Sequence, residues 1–416
     1  MKSGFLGAAR CAAMSIAVTV ASATPFATLA QNPPADVVKR GEYLARAGDC
    51  ISCHTANGGT PYAGGYRIDT PFGYLLAPNI TPDDATGIGL WSADDFYRAL
   101  HRGENRRGQD LYPAMPYDFY TRVTREDSDA IFAYLRSLKP VGNAVDVNHL
   151  RFPFDQRWTM AVWRELYFSQ GTFAPDPTKS ASWNRGAYLV EGLAHCSACH
   201  SPRNALGGIE KSRTFDGATI DGWFALNLTE NLYTGLGEWS PEDIAAYLKT
   251  GSARGRTTSF GPMAEVVRNS TSHLTEADLE AIGQYLKSIP PSSSLRMGRP
   301  DPAPERQRGA ALYLDHCAGC HQAKGTGIQG VFPPLASNGA VVAPDPANVL
   351  KVILSGLPAQ NGLVAMPAFG PELSDQAIAD IANYVRTSWG NVSPASATAA
   401  AVSELRRAAA RGRQAP

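Results

Sequence analysis

Amphipathic helices recur at three comparable places along this chain. Apolar residues fall at helical spacing in three segments, residues 127–138, 276–289 and 374–389. Near the starts of these segments stand residues that we expect to cap the helices: Ser128, Thr275 and Ser374. A tyrosine recurs at a similar place in each segment, and we expect it to pack against a neighbouring element: Tyr134, Tyr285 and Tyr384. The pattern predicts an all-α fold.

Each amphipathic segment is preceded by a shorter predicted helix with a shared opening. The openings read RGEYL at 40–44, RGAYL at 185–189 and RGAAL at 308–312. Between the two helices, the first two copies match further, because Asn79-Ile80-Thr81 corresponds to Asn227-Leu228-Thr229 and GIGLWS at 87–92 to GLGEWS at 235–240. Both matches have an offset of 148 residues. This repetition predicts three tandem copies of one domain, of which the third is shorter.

The bulk composition agrees with several globular domains. The chain has 416 residues, of which 44% are hydrophobic and 18% charged, and this length suits about two to four domains. Lys+Arg and Asp+Glu both number 38, so no net basic excess favours nucleic acid binding.

The N-terminus has the pattern of a secretory signal. Lys2 and Arg10 precede a short apolar stretch, and small residues lead to a cleavage site expected after Ala30. The alternative is an uncleaved membrane anchor, although the apolar run is short for a bilayer span. After Gln31 there is no apolar run of roughly 18 residues, so we expect an exported, mature chain that does not cross the membrane.

Six of the seven cysteines form three pairs, and each pair is followed at once by histidine. The strings are Cys50-Ile51-Ser52-Cys53-His54, Cys196-Ser197-Ala198-Cys199-His200 and Cys317-Ala318-Gly319-Cys320-His321. Two thiols three residues apart on one turn can each form a thioether to one haem edge, and the adjacent histidine then supplies an axial nitrogen to iron. This C-x-x-C-H spacing is the c-type haem attachment signature, and it predicts three covalently bound haem c groups.

Two other uses of the cysteines fit the sequence less well. A zinc site with four cysteine ligands would combine two pairs, leave the third over and ignore the histidines. A thioredoxin-like redox pair needs a βαβ setting, which the sequence does not offer.

Each repeat also offers a methionine beside proline. The offset of 148 residues relates Met115 to Met263, and Met366 is the counterpart in the third repeat. These methionines follow the attachment histidines by 61, 63 and 45 residues. A thioether is a soft, neutral iron ligand that raises the haem potential, and proline stiffens the loop that must hold it. We therefore predict the axial ligands His54/Met115, His200/Met263 and His321/Met366.

The remaining methionines and histidines have plainer interpretations. Met160 is expected to fill a core near two tryptophans, and Met297 lies in a polar linker. His195 and His316 immediately precede attachment cysteines and are expected to form local hydrogen bonds. His101 is the best rival ligand for the first haem.

Two linkers and a tail complete the chain. Residues 156–168 are rich in aromatics and predict a helix that either packs between domains or belongs to a partner surface. Residues 290–304 are rich in Pro, Ser and Arg. The Ala-rich tail carries four arginines and is either a frayed helix or a helix on an anionic membrane surface. The GTGIQG string at 325–330 matches G-x-G-x-x-G, but it follows a haem site and not a strand, so we interpret it as a haem-side loop.

With these motifs in view, the chain resembles the triple-haem cytochrome c subunits of bacterial membrane-bound dehydrogenases that oxidise alcohols, sugars or gluconate. The resemblance runs from about residue 37 to residue 389. It is carried by the three attachment sites, by NITP at 79–82 with TGIG at 86–89, by YPAMPY at 112–117 and by AMPAF at 365–369.

The resemblance implies three tandem class I cytochrome c domains with long irregular loops that wrap the haems. The domains would span residues 36–140, 181–290 and 305–390. The signal peptide would occupy residues 1–30, linkers 141–180 and 291–304, and the tail 391–416.

The resemblance also implies the partners. A large subunit with flavin or pyrroloquinoline quinone, with a small subunit as a further candidate, would oxidise the substrate. The cytochrome subunit would pass the electrons to ubiquinone or a terminal oxidase at the periplasmic face of the cytoplasmic membrane. The chain would then have no catalytic residues and oxidise no substrate alone.

Two other functions stay open from the sequence. A haem enzyme such as a peroxidase needs an open sixth iron position, whereas a relay prefers both axial positions filled. Three available methionines favour the relay. A free shuttle or an oxidase-associated cytochrome is the second alternative.

Overall fold

The computed structural model describes Met1 and residues 33–253, 255–292, 303–360 and 362–412. The predicted signal peptide therefore lies outside the described residues, apart from Met1. Met297 and most of the second linker also lie outside them.

Helices dominate the described residues. The helices of eight or more residues are α1 (Ala35–Ala47), α3 (Ala93–Arg102), α5 (Arg125–Ser137), α6 (Trp158–Tyr167), α7 (Ala181–Tyr188), α9 (Pro241–Thr250), α10 (Gly261–Asn269), α11 (Glu276–Leu286), α12 (Ala303–His316), α15 (Ala347–Ser355), α16 (Asp375–Thr387) and α17 (Ala399–Gly412). The four-residue helices are α2 (Cys50–Cys53), α4 (Tyr117–Tyr120), α8 (Ser197–His200), α13 (Ala318–His321) and α14 (Gly339–Val342). A π-helical turn at Leu189–Leu193 and 3₁₀ turns at Lys211–Arg213 and Thr271–His273 are also present.

In the part of the chain that the structure describes, seven short strands accompany these helices, so the prediction of a purely α-helical fold was incomplete. The strands are β1 (Arg67–Thr70), β2 (Gly73–Leu76), β3 (Asn148–Leu150), β4 (Ala218–Ile220), β5 (Trp223–Ala225), β6 (Ser252–Ala253) and β7 (Thr257–Thr258). They form antiparallel sheets in the orders β1-β2-β3, β4-β5 and β6-β7. Segments of two to four residues are too short to produce a readable alternation of apolar and polar positions.

Three pairs of crossing helices organise the chain: α1 with α5, α7 with α11, and α12 with α16. We call the regions around them the first unit (residues 35–150), the second unit (181–292) and the third unit (303–391). The second helix of each pair is the predicted amphipathic helix, with ends that differ from the prediction by at most three residues. Thr275 and Ser374 cap α11 and α16 as predicted. The expectation for Ser128 was wrong, because Thr124 caps α5 and Ser128 lies inside that helix, fully buried.

A glycine allows each helix pair to approach closely. A methyl group on Gly41, Gly186 or Gly309 would lie 1.8, 2.0 or 2.4 Å from a backbone carbonyl oxygen of the crossing helix. Those oxygens belong to Ala130, Ala281 and Asp380. The recurring tyrosines border the same contacts, with the Cβ atoms of Tyr134, Tyr285 and Tyr384 at 2.8–2.9 Å from that methyl position. Only glycine fits this crossing without moving the backbone.

The arginine before each glycine pairs with a buried carboxylate on the crossing helix. The Arg40–Asp127, Arg185–Asp278 and Arg308–Asp380 distances are 2.6, 2.7 and 3.0 Å. The aspartates are 3–8% exposed. A buried carboxylate needs such a partner, so these ion pairs fix the register of the crossing helices.

The repeated loop motifs adopt the same local structure in the first two units. The side-chain oxygens of Asn79 and Asn227 accept hydrogen bonds from the backbone N–H of Thr81 and Thr229, at 2.9 and 2.7 Å. The serines that end GIGLWS and GLGEWS form capping boxes at the starts of α3 and α9. The motifs that recur at an offset of 148 residues therefore also share their backbone conformation.

Apolar packing joins the first two units and leaves the third separate. One core cluster contains residues of both the first and the second unit, among them Leu44, Leu135, Leu193 and Leu286. A second cluster is confined to residues 312–405. The third unit contacts the second through polar groups, since the Asn348 side chain both donates to and accepts from the backbone of Phe224, at 2.9 Å each.

The aromatic-rich linker forms α6, which has two different faces. Met160 and Trp163 are buried against Tyr112 and Tyr117 of the first unit, so Met160 fills a core as predicted. Trp158, Val162 and Leu166 recur every four residues on the other face and are 56–65% exposed. The helix thus packs against the first unit on one face, and its other face lines a large cavity.

The tail helix α17 packs on the third unit and is not frayed. Val402 is fully buried, and Arg406 donates to the carboxylate of Asp375 at 2.9 and 3.0 Å and to the carbonyl of Gly370 at 2.6 Å. Arg407 is exposed. In the described part of the chain, no helix is both long and apolar enough to span a membrane.

Replacing Gly186 by alanine tests the close helix crossing. The added methyl group would meet the Ala281 carbonyl, so we expect a loss of about 1–3 kcal/mol in unfolding free energy, as for other overpacked cores. Urea unfolding of the purified protein measures it. The matched control is Gly142→Ala, whose methyl group would meet no atom within 4 Å and should change stability by less than about 0.5 kcal/mol. Equal effects at the two positions would contradict the proposed constraint.

Candidate haem sites

The three cysteine pairs lie on short helical turns that follow the first helix of each unit, with a π-helical turn in between in the second unit. Cys50 and Cys53 are the ends of α2, and Cys196 and Cys317 are the N-caps of α8 and α13. Residues three apart on a helical turn lie on the same face, so each pair presents two sulfurs to one side. All six cysteines are free of disulfide bonds.

Burial favours the neutral form of several of these thiols and of the attachment histidines. It raises the pKa of Cys50, Cys53 and Cys196 to about 12 and that of Cys317 to about 11. It also lowers the pKa of the three attachment histidines, His54, His200 and His321. Neutral imidazole is the form that binds iron, whereas neutral thiols do not suit a thiolate metal site.

A backbone carbonyl orients each attachment histidine in the same way. The Nδ1 atoms of His54, His200 and His321 lie 2.7, 2.6 and 3.0 Å from carbonyl oxygens. The acceptors belong to Pro78, Leu226 and Pro333. A carbonyl oxygen can only accept, so Nδ1 carries the proton and Nε2 keeps its lone pair for a metal. This is the outer-shell arrangement typical of metal-ligating histidines.

Two of these carbonyl acceptors could have been found from the sequence, because each belongs to the residue before a repeated asparagine. Pro78 and Leu226 immediately precede Asn79 and Asn227, the asparagines of the repeated loop. The asparagine turns shape the loops whose preceding carbonyls orient the histidines. The repeated asparagines thus serve the metal ligand indirectly.

A large cavity connects the first and second sites. It measures about 1880 Å³, and its lining includes Cys50, Cys53, His54 and Met115 of the first unit and Cys199 of the second. The sulfurs, the imidazole and the thioether thus border one largely apolar space. These residues fit a covalently bound haem in their chemistry and in the space that they enclose.

The three predicted methionines are half-buried. Met115 and Cys50 pack against the same core cluster, as do Met366 and Cys317 in the third unit. Met263 lies in the first turn of α10, and its neighbour Pro262 lines the connecting cavity.

The rival ligand His101 is held elsewhere. Its Nδ1 donates to the carbonyl oxygen of Thr121 at 2.7 Å, and its ring stacks on Tyr97 with centroids 4.8 Å apart. His101 is not among the residues that line the cavity around Met115. The geometry therefore favours Met115.

The remaining motif residues have local roles. The G-x-G-x-x-G string forms a loop after α13, in which Gly325, Gly327 and Gly330 have positive φ angles and the N–H of Gly327 donates to the carbonyl of His321. His316 contacts the ring of Phe369 edge-on. In the described residues, no group of three or more His, Cys, Asp or Glu side chains is arranged to hold a metal ion.

Family models match both ends of the chain. Residues 38–139 match the model described as "Cytochrome c", and residues 304–385 match "Cytochrome C oxidase, cbb3-type, subunit III". Cytochrome c domains are thus present in this chain, and they imply covalently bound haem c.

Curated relatives cover almost the whole chain. It is 40% identical over 420 residues to the gluconate 2-dehydrogenase cytochrome c subunit of Pantoea cypripedii, covering 94% of this chain and 95% of that protein. It is 40% identical over 410 residues to the cytochrome c subunit of the quinone-dependent alcohol dehydrogenase of Gluconacetobacter polyoxogenes, covering 91% and 86%. It is 39% identical over 413 residues to the fructose dehydrogenase cytochrome subunit of Gluconobacter japonicus, covering 91% and 84%.

These relatives share their cytochrome role but serve enzymes with different substrates. The oriented histidines, paired thiols and connecting cavity agree with that role. The chain belongs to the family of cytochrome c subunits of bacterial dehydrogenase complexes, and it transfers electrons.

Proposed function

We propose that this chain relays electrons through three c-type haems, from a flavin or pyrroloquinoline quinone dehydrogenase subunit to ubiquinone or a terminal oxidase. The observation that carries the proposal is the shared orientation of three histidines. At each of the three attachment turns, a carbonyl holds Nδ1–H and leaves Nε2 for iron.

The haems would be held by the same residue types at each site. Thioethers would form at Cys50/Cys53, Cys196/Cys199 and Cys317/Cys320, with axial nitrogens from His54, His200 and His321. Met115, Met263 and Met366 would fill the sixth iron positions. When bound, each haem would supply a one-electron carrier, and the protein would set its potential through the methionine and the apolar surroundings.

Two filled axial positions favour a relay over a peroxidase. Peroxide chemistry needs an iron position that is open or can open. Met115 borders the same cavity as Cys50, Cys53 and His54. The chain would then oxidise no alcohol or sugar by itself, because the irons would leave no position for one.

The partner enzyme is proposed from the relatives. Gluconate, alcohol and fructose dehydrogenases each have a cytochrome subunit similar to this chain. A large dehydrogenase subunit, with or without a small one, would accordingly bind this protein.

We also propose that the protein acts at the periplasmic face of the cytoplasmic membrane. The signal-like N-terminus supports export. In the tail, Arg406 is engaged by Asp375, so attraction to anionic lipid would rest on Arg407, Arg411 and Arg413.

Haem content tests the proposed count. We expect the holoprotein to contain about three irons per chain and to keep its haem stain after denaturation, because thioethers survive unfolding. Metal analysis and a haem-stained denaturing gel measure both. Replacing Cys317 and Cys320 by serine should remove one iron of the three. Extraction of haem into acidified organic solvent would contradict covalent attachment.

Met115→Ala tests the first axial pair. Loss of the thioether should lower the potential of one haem and open an iron position that binds carbon monoxide. Redox titration and the absorbance change with carbon monoxide measure these effects. Met160→Leu, a volume-conserving change at a buried methionine, should alter neither. An unchanged spectrum and potential in Met115→Ala would make His101 the better candidate ligand.

Reconstitution tests the relay. The holocytochrome alone should not reduce dye with gluconate, alcohols or sugars. Adding the large subunit should produce activity, with haem reduction preceding quinone reduction in stopped-flow spectra. Substrate oxidation by the cytochrome without a second subunit would refute the relay.

A further inference from the structure

The first and second units contact each other through a reciprocal pair of hydrogen bonds. Tyr43 of the first unit donates to the carboxylate of Asp278 in the second, at 2.5 Å. Tyr188 of the second unit donates to the carboxylate of Asp127 in the first, at 2.6 Å. The two units therefore meet as similar halves related by an approximate two-fold arrangement.

Each of these carboxylates also accepts from the arginine of its own helix pair. Burial alone would raise the pKa of Asp278, but the hydrogen bonds from Arg185 and Tyr43 outweigh it and hold the pKa below its usual range. The third unit keeps the Arg308–Asp380 pair but has Ala311 in place of the tyrosine. The reciprocal contact thus belongs to the first two units.

In this arrangement, the end of α10 in the second unit contacts the attachment turn of the first unit. Asn269, at the end of the helix that starts near Met263, donates to the hydroxyl of Ser52 at 2.9 Å. Its neighbour Ser270 donates to the carbonyl of Ala47 at 3.3 Å. The attachment turn of the first site is therefore supported by the ligand helix of the second.

A second contact, from the first unit to the attachment turn of the second, is made by two aromatic rings. Tyr120, in the helix after Met115, stacks on His195, which immediately precedes Cys196; the centroids lie 5.4 Å apart and the planes 30°. The Tyr120 hydroxyl donates to the carbonyl of Gly48 at 2.8 Å, two residues before Cys50. Both rings line the connecting cavity. The ring pair thus connects the attachment turn of the first site to that of the second.

The local turn does not account for the imidazole at position 195. His195 has a left-handed φ of 40°, and Asp49, at the same place before Cys50, has 50°, so the turn needs a residue that tolerates this conformation. Asp49 uses its side chain within the turn, accepting from Ser52 at 2.6 Å. The Nδ1 atom of His195 is buried without a well-directed hydrogen bond. The main contact of the His195 ring is therefore its stacking on Tyr120.

We propose that the Tyr120–His195 ring pair is the contact through which the first and second haem sites exchange single electrons. The inference rests on the proposed function, since it needs haems at both attachment turns. Each exchange would be a one-electron transfer between the haem that Cys50, Cys53 and His54 would hold and the haem that Cys196, Cys199 and His200 would hold: one would be oxidised and the other reduced, with no bond broken and no proton moved. Tyr120 and His195 act as positioning residues, because neither contacts iron.

Carbon monoxide photolysis can follow this exchange in the full-length holoprotein. In the Met115→Ala background, carbon monoxide would bind the first haem and hold it reduced while the second is oxidised. A light flash would release the carbon monoxide, lower the potential of the first haem and send an electron to the second. The rate of the resulting absorbance change measures the exchange.

His195→Asn removes the ring and keeps a residue that tolerates the left-handed turn. We expect a several-fold slower exchange, with unchanged haem content and axial-ligand spectra. The matched control is His316→Asn, because His316 also precedes an attachment cysteine, Cys317, and contacts Phe369 of its own unit. This control should not change the rate. An unchanged rate in His195→Asn would overturn the proposal.

A second variant distinguishes the effect of the ring pair from the effect of the interface geometry. Tyr43→Phe combined with Tyr188→Phe removes the reciprocal hydrogen bonds and leaves Tyr120 and His195 in place. A rate near that of the parent supports the ring pair, whereas a loss equal to that of His195→Asn would assign the effect to interface geometry alone. Failure of Met115→Ala to bind carbon monoxide would instead contradict the ligand assignment, an outcome distinct from failure of the ring proposal.

Discussion

The contact between a glycine and a backbone carbonyl at each helix crossing determines the rest of this structure. Because no side chain separates the helices there, their backbones touch, and the arginine beside the glycine reaches a buried aspartate on the other helix. The attachment turn follows the first helix within a few residues, or after one π-helical turn in the second unit. Fixing that helix therefore fixes where the cysteines and the histidine face.

The same geometry explains why the first two units behave as one body. The tyrosine three residues after the arginine lies on the side of the helix pair that faces the other unit, and there it reaches a second buried aspartate. Each aspartate thus serves its own crossing and the interface. In the third unit, Ala311 cannot reach across, and the contact with the second unit is made by polar groups, among them Asn348 with the backbone of Phe224 and Lys351 with the carbonyl of Asp221. A polar contact of this kind is the sort that permits relative domain motion more readily than a shared apolar core.

The sequence predicted the features that repeat. The amphipathic helices and the attachment turns lie at the expected places, since helical periodicity and fixed motif spacing depend on neighbours in the chain. Thr124 was missed as a cap because Ser128, four residues later, is an equally good capping residue type. The short strands were missed because each has only two to four residues, too few for a readable alternation of apolar and polar positions.

Contacts between units could not be predicted from local sequence patterns, because their partners are far apart in the chain. Tyr43 and Asp278 are separated by 235 residues, and nothing in either neighbourhood states that they meet. His195 shows the same limit, because its position before Cys196 suggested a local hydrogen bond, yet its ring stacks on Tyr120 of another unit. The residue type at a turn can satisfy the backbone in more than one way, as Asp49 and His195 do with similar φ angles. What distinguishes them is the neighbour that the fold supplies: a serine of the same turn for the carboxylate, and an aromatic ring from the opposite unit for the imidazole.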